Sequence, residues 1–224
     1  MPTPRARAEW AARVRAEYRS AAHTAQVVHL LLACGLDEGL ARAGLGVVQD
    51  ELDHARLSHE VLVALGGGEE QVALDAGELS RPSTAEGPLA LLVDAGVGSL
   101  CLGETFAVPL FSAMRRGTTH PVARAALDRI LRDEVRHRQL GWDLLDGLLE
   151  LDPDGVRGRV TAALPGWLSG FRQAYRPPEG ASPLTPQERA AGLLPAADYR
   201  QEHDRCVAEE LQPRLGARGI PLPP

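Results

Sequence analysis

Glu134 and His137 stand three residues apart in Asp133-Glu134-Val135-Arg136-His137, inside a helical run predicted from Pro121 to about Glu150. On an α-helix that spacing puts a carboxylate and an imidazole on one face. The same pair recurs as Glu51 and His54 in Asp50-Glu51-Leu52-Asp53-His54. Each pair follows a predicted helix carrying one centrally placed glutamate, Glu17 before the first and Glu104 before the second. The order Glu, Glu-x-x-His, Glu, Glu-x-x-His supplies a dinuclear metal site projecting into a four-helix bundle. The metal set is therefore Glu17, Glu51, His54, Glu104, Glu134 and His137, the same six residues that any catalysis at the metals would use. Four carboxylates and two imidazoles offset much of the charge of two divalent ions, and their oxygen and nitrogen donors suit Fe or Mn. Glu51 and Glu134 are expected to bridge, with the other four more terminal. Ligating imidazoles need an acceptor on the second nitrogen. Asp133 is expected to support His54, Asp50 to support His137, and Arg136 to pair with one of these aspartates.

The elements that must position these groups are helical. Residues from about Pro4 to Ala33 form the first run, ending at Cys34-Gly35-Leu36-Asp37, where Gly35 suits a helix stop and Asp37 a cap. The second runs from about Glu38 to Leu65 and stops at Gly66-Gly67-Gly68, and residues 66 to about 83 read as a long crossover loop. The third spans about Glu86 to Arg116, with Leu89, Val93, Val97, Leu100, Glu104, Val108 and Phe111 on one stripe. Pro109 removes a hydrogen bond to the Thr105 carbonyl, so a kink or π-bulge is expected beside Glu104. Gly117-Thr118-Thr119-His120-Pro121 reads as a glycine stop, a threonine cap and a first-turn proline.

Helix lengths test the ligand choice independently. At 1.5 Å per residue, Glu17 lies roughly 27 Å from Gly35 and Glu51 roughly 21 Å from Asp37, so an antiparallel pair brings them to similar height. Glu9 would sit near ~39 Å and miss the site.

The bulk composition fits. Hydrophobic residues make up 44% of the 224-residue chain and aromatics 4%, which favours helices over strands. The net charge is −6 and every basic residue is arginine, with no basic stripe to engage nucleic acid. Cys34, Cys101 and Cys206 are widely spaced, form no Cys-x-x-Cys, and read as free thiols of a reducing compartment. No membrane span or signal peptide is expected, which makes a cytoplasmic location the expectation. Residues 1–151 are read as the metal-bearing bundle. Residues 152–224 are read as a C-terminal helical extension: a helix over 154–175 interrupted at Pro165-Gly166, a Pro-rich linker from Arg176 to Pro186, a helix over 196–212, and an irregular tail.

The chain resembles the ferritin-like di-iron carboxylate superfamily. Asp133-Glu-Val-Arg-His137 is similar to the Asp-Glu-x-Arg-His element of bacterial multicomponent monooxygenase hydroxylases. Glu17-Tyr-Arg-Ser20, Asp50-Glu-Leu-Asp-His-Ala-Arg-Leu57, Gly103-Glu-Thr105 and Asp133-Glu-Val-Arg-His-Arg-Gln-Leu-Gly-Trp142 resemble a group of short bacterial ferritin-like proteins. The resemblance covers roughly residues 10–150. Members of that group commonly carry His after the first glutamate, where this chain has Tyr18.

The resemblance implies an all-α ferritin-like four-helix bundle with a long crossover between helices 2 and 3. It also implies two Fe ions, or an Fe/Mn pair, with O2 as co-substrate. The expected activity is that of an O2-dependent oxidase or oxygenase acting on a small organic substrate, with electrons from an external donor. One alternative is a ferroxidase or iron-handling protein. Another is a non-enzymatic helical partner protein whose metal is structural. The oligomeric state, a homodimer included, stays open. His59, five residues past His54, offers an extra ligand but reads better as a capped or partly exposed core histidine, and His203 with Cys206, three apart, is a weak candidate for a small metal or redox pair without further ligands.

Overall fold

The computed structural model describes residues 3–67, 75–79, 87–174 and 182–222. Among these residues it is helical, with no strand. Four long helices come first: α1 (Pro4–Ala33), α2 (Glu38–Ala64), α3 (Pro88–Gly117) and α4 (Pro121–Leu151). They pack in a cycle, α1 on α2, α2 on α4, α4 on α3 and α3 on α1. Three more follow: α5 (Pro153–Ala174), the short α6 (Pro186–Ala190), and α7, which runs on from Ala196–Cys206 through Val207–Leu211 to Gln212–Gly216.

Local chemistry sets the ends. Thr3 caps α1 by accepting from the Ala6 N–H at 3.2 Å, and Pro4 follows in the first turn. Gly35 turns the chain at φ +70°, and the Asp37 carboxylate then accepts from the Gly39 N–H at 2.8 Å. Gly66, at φ +77°, ends α2. Most of the crossover, residues 68–74 and 80–86, lies outside the described residues, as does Glu86, the expected start of α3. Before α4 the cap is His120 rather than a threonine, its Nδ1 facing the Ala123 N–H at 3.5 Å. Gly117 keeps a helical backbone, so it is the last helical residue and not a left-handed stop.

The expectation for α3 needs the largest correction. Its helix is widened to π geometry over Val93–Cys101, one turn before Glu104, and not at Pro109. Two contacts explain the placement. A Cβ at Gly141 of α4 would lie 2.4 Å from the Cys101 Cα, and one at Gly96 would lie 2.5 Å from a Leu144 methyl. The widened segment and α4 therefore touch almost backbone to backbone. Pro109 is absorbed differently: the Thr105 carbonyl that it leaves free accepts from the Cys206 thiol at 3.4 Å. The extra residue rotates everything after it, so Thr105 and Phe106 are buried while Val108 and Phe111, expected in the core, are only half-buried.

α3 also corrects the expectation of no stretch apolar enough to span a membrane. Its most apolar 18 residues reach a mean hydropathy of 1.5, and 67% of that window is buried inside the fold.

Two further prolines fail to break helices. α5 runs through Pro165, and α7 continues past Pro213, which follows the wide π turn Val207–Leu211. The described part of the expected linker ends in a capping box, with Thr185 Oγ1 accepting from the Glu188 N–H at 3.2 Å and Glu188 accepting from the Thr185 N–H at 2.8 Å. Residues 176–181 of that linker lie outside the described residues, as does residue 175 before it. The described part of the tail, through residue 222, is irregular as expected but packed: Gly219 turns at φ +73° and Ile220 is fully buried. Ile220, Leu211, Leu215, Val156 and Val160 join Leu100, Leu144 and Leu148 in one apolar core.

Candidate metal centre

α1, α2, α3 and α4 each deliver predicted residues to one buried spot. Among the described residues, ligand atoms of Glu51, Glu104, Glu134 and His137 lie within 4.8 Å of one another, and so do those of Glu17, Glu51 and His54. All six predicted residues are thus brought together, and Glu51 belongs to both sets. His54 and His137 are fully buried, their ring centroids 5.6 Å apart.

The two central glutamates are placed between the imidazoles. Glu51 faces His137 Nδ1 with Oε1 at 3.4 Å and His54 Nδ1 with Oε2 at 3.6 Å. Glu134 faces His54 Nδ1 with Oε1 at 3.7 Å and His137 Nδ1 with Oε2 at 3.5 Å. Each carboxylate therefore offers one oxygen to each histidine, an arrangement suited to bridging two cations. These separations are too long for good hydrogen bonds. Glu51 Oε2, Glu134 Oε2, His54 Nδ1 and His137 Nδ1 are buried without a hydrogen-bond partner. Unpaired buried polar atoms cost free energy unless something else satisfies them. A pair of divalent cations among these oxygen and nitrogen donors would satisfy all four, and Fe or Mn suits the donor set.

The outer nitrogens are already engaged, in a crossed pattern. His54 Nε2 meets Asp133 Oδ2 at 3.3 Å, and His137 Nε2 meets Asp50 Oδ2 at 3.2 Å. Each aspartate thus reaches from its own helix to the histidine of the other. A carboxylate on Nε2 fixes that nitrogen as the donor and leaves the Nδ1 lone pair for a metal. Arg136 donates to both Asp50 and Asp133 at 2.9 Å. Arg129, absent from the predicted set, donates to Asp133 and, at 3.3 Å, to Asp50. Its signal was available, four residues before Asp133 on the same face of α4.

Electrostatics in the metal-free protein carry the same message. Burial, then Glu51 and Glu134, push the Glu17 carboxyl well above its ordinary range. Burial, then Glu134 and Glu51, do the same to Glu104. Burial would raise Glu51 too, but the facing His137 and His54 imidazoles outweigh it and bring it down to about 2. Burial would lower His137, but Glu134 and Glu51 raise it to about 10. Against the same burial, Glu51 and Glu134 raise His54. The cluster demands positive charge, and without metal it takes protons.

A pH dependence follows. His137 is raised from 6.5 to about 10, so its contribution to stability is complete below pH 6.5 and is lost as pH rises through about 10. Glu17 and Glu104, also raised, act in the same direction. The lowered Glu51 matters only below its ordinary value of 4.5. Chelator-treated protein is therefore expected to lose about 1 kcal/mol per pH unit across this window, read as a falling Tm. Metal loading should flatten the slope, because the ions replace the protons. A flat profile without metal would contradict the account.

The crossed aspartates give a second expectation. Asp133→Asn leaves the His54 contact geometrically available but removes the charge that polarises the imidazole. Metal affinity, measured by competition with a chelator, should fall by about 10- to 100-fold. Unchanged affinity would reduce Asp133 to a partner of Arg129 and Arg136.

The other candidates fall outside the cluster. Glu9 lies 3.7 Å from Arg13 and Tyr18 is exposed. His59 is half-buried and belongs to neither ligand group. His203 stacks on Phe106 at 4.7 Å.

A cavity of about 660 Å³ opens on the carboxylate side of the cluster. Glu17, Glu51, Glu104 and Glu134 border it, and the two histidines do not. Its walls come from α1, the widened part of α3, and a roof that includes Phe171, Leu193, Leu194 and Tyr199. The roof is pinned to α1: Trp10 Nε1 donates to the Ala191 carbonyl at 2.8 Å, and Thr3 Oγ1 donates to Glu188 at 2.9 Å. No local sequence pattern announces this roof, because its contacts join α1 to residues about 180 positions later.

No protein-family model, no curated protein and no solved structure matches the chain.

Proposed function

We propose that this protein is a ferritin-like dinuclear iron carboxylate enzyme that uses O2 to oxidise a small organic molecule. The observation that carries the reading is the cavity of about 660 Å³ whose floor is the four-carboxylate side of the buried Glu/His cluster. Its size suits a small molecule. A site built only to hold structure would not need such space beside its donors.

Glu51 and Glu134 would bridge the ions, Glu17 with His54 and Glu104 with His137 would complete their shells, and Asp50 and Asp133 would hold the imidazoles in register. An iron pair, or Fe with Mn, supplies two-electron reduction of O2. For hydroxylation the balance is one oxygen atom into substrate and one into water, with two electrons and two protons from an external donor. The chain's own part is to orient the substrate against the carboxylate floor and to keep bulk water out beneath the apolar roof. Glu104, half-buried on the cavity wall and following the widened turn of α3, is the ligand with most freedom to shift as a substrate enters.

The test loads metal-free protein with Fe(II) under argon and then admits O2. Rapid O2 consumption that ends with about two irons still bound per chain supports the enzyme reading. Iron uptake continuing far beyond two would replace it with iron handling. Metal binding and loss of fold on chelation, with no O2 consumed, would leave a structural metal in a helical partner protein.

A further inference from the structure

The cavity is bordered by a positive group outside the Glu/His cluster, and its charge acts on Glu17, one turn along α1. Arg13 borders it and is 8% exposed. Its guanidinium lies over the Trp10 ring at 4.5 Å, and Nη2 donates to the Gly192 carbonyl at 3.3 Å. Its ion pair is long, Nη2 to Glu9 at 3.7 Å, and Glu9 is 42% exposed at the side chain. Nη1 is buried without a hydrogen-bond partner. A guanidinium taken out of water without a hydrogen-bonded anion is costly. One edge is thus pinned by the ring, the Gly192 carbonyl and Met114 Sδ, while Nη1 has no hydrogen-bonded anion and the guanidinium's remaining polar neighbour is the Tyr199 hydroxyl of the cavity roof.

We infer that Arg13 is the recognition residue for a small, singly charged organic carboxylate, whose acid group it holds while the apolar body lies over Glu17 and Glu104. The inference rests on the reading that those glutamates carry metal. Its geometry is simple. Arg13 and Glu17 are four residues apart on α1, one turn or about 6 Å, so both point into the same cavity. An acid held at Arg13 therefore presents carbon atoms close to its carboxylate to the metal floor. Leu110, Phe111, Leu193 and Leu194 supply the apolar surface around it. A guanidinium fork is matched to a carboxylate. One arginine above four glutamates favours a single negative charge over a phosphate dianion. Arg5, which also lines the cavity and donates to the Ser182 carbonyl at 2.8 Å, adds positive potential to draw an anion in.

The test uses Fe(II)-loaded protein under argon and calorimetric titration with hexanoate, hexanol and hexylamine, three probes of one chain length. Hexanoate should bind at least about 10-fold tighter than hexanol, as expected for a charge-assisted hydrogen bond, and hexylamine should not bind measurably. Arg13→Gln should remove that preference and Arg13→Lys should restore part of it, with iron content per chain unchanged in both. Equal binding of the three probes, or a hexanoate preference that survives Arg13→Gln, overturns the inference. Carboxylate binding to the metals alone would give the latter result. If Arg13→Gln does not fold, Arg13→Lys decides: a hexanoate preference weakened at unchanged iron content supports the inference, and an undiminished one overturns it. Iron content is measured separately, so protein that takes up no iron overturns the dinuclear reading, whereas iron-loaded protein without acid preference overturns only the role of Arg13.

Discussion

Glu134→Ala is expected to reduce bound metal from about two ions per chain to one or none. Its two oxygens face both histidines, at 3.7 and 3.5 Å, so removing them takes a donor from each ion at once. The loss of affinity should exceed the ~100-fold upper range typical of outer supporting groups. Stability should respond in opposite ways with and without metal. In metal-free protein the change removes one of several crowded carboxylates, and the folded state should tolerate it. In metal-loading buffer the wild type should gain a rise in Tm that the variant does not show, because ligand binding to the folded state alone is what raises it. Metal analysis of desalted protein and a pair of melting curves check both halves. Full occupancy by two ions in the variant would remove Glu134 from the site.

Gly141→Ala is expected to be the most damaging single methyl group in the described structure. The new Cβ would fall 2.4 Å from the Cys101 Cα and 2.5 Å from the Leu100 carbonyl oxygen. These are backbone atoms, so no rotamer change relieves the clash, and α4 must move away from the widened segment of α3. Overpacking of this kind costs about 3 kcal/mol, toward the upper end of its range. For a chain of this size that lowers Tm by about 6–12 °C. The displacement also separates Glu134 and His137 on α4 from Glu104 on α3, so metal affinity should fall although no donor has been touched. Gly158→Ala, with nothing within 4 Å of its added Cβ, is the matched control and should be near neutral. Equal melting of the two variants would contradict the close approach.

The buried Glu/His cluster was largely legible in the sequence because its geometry is local. Two Glu-x-x-His pairs settle which faces of α2 and α4 point inward. Counting residues back to each turn separates Glu17 from Glu9, and Glu17 is the one that reaches the cluster. Even the crossed support follows from spacing, since an aspartate just before a ligand glutamate is turned toward the neighbouring helix.

What escaped was whatever depended on distant partners. A stripe drawn at 3.6 residues per turn put Val108 and Phe111 in the core, but the π segment adds a residue and leaves both half-buried, Phe111 on the cavity wall. Its placement depends on Gly141, forty residues away, rather than on Pro109 nearby. Pro109 looked like a break because a missing N–H leaves a carbonyl free, and no local pattern reveals that Cys206 supplies the donor. Pro165 and Pro213 also read as breaks, yet the helices run past both. The roof over the cavity, and with it the meaning of Arg13, became visible only once residues 184–199 lay across α1.

The most direct measurement is an anaerobic titration of metal-free protein with Fe(II), followed by equilibrium binding and by proton release. The account predicts saturation at about two ions per chain, with protons released because Glu17, Glu104 and His137 hold them when metal is absent. Glu134→Ala should abolish that two-ion end point. Wild-type protein that binds no Fe(II), or binds it with no proton release and no dependence on Glu134, would contradict the claim that these six side chains form a dinuclear centre.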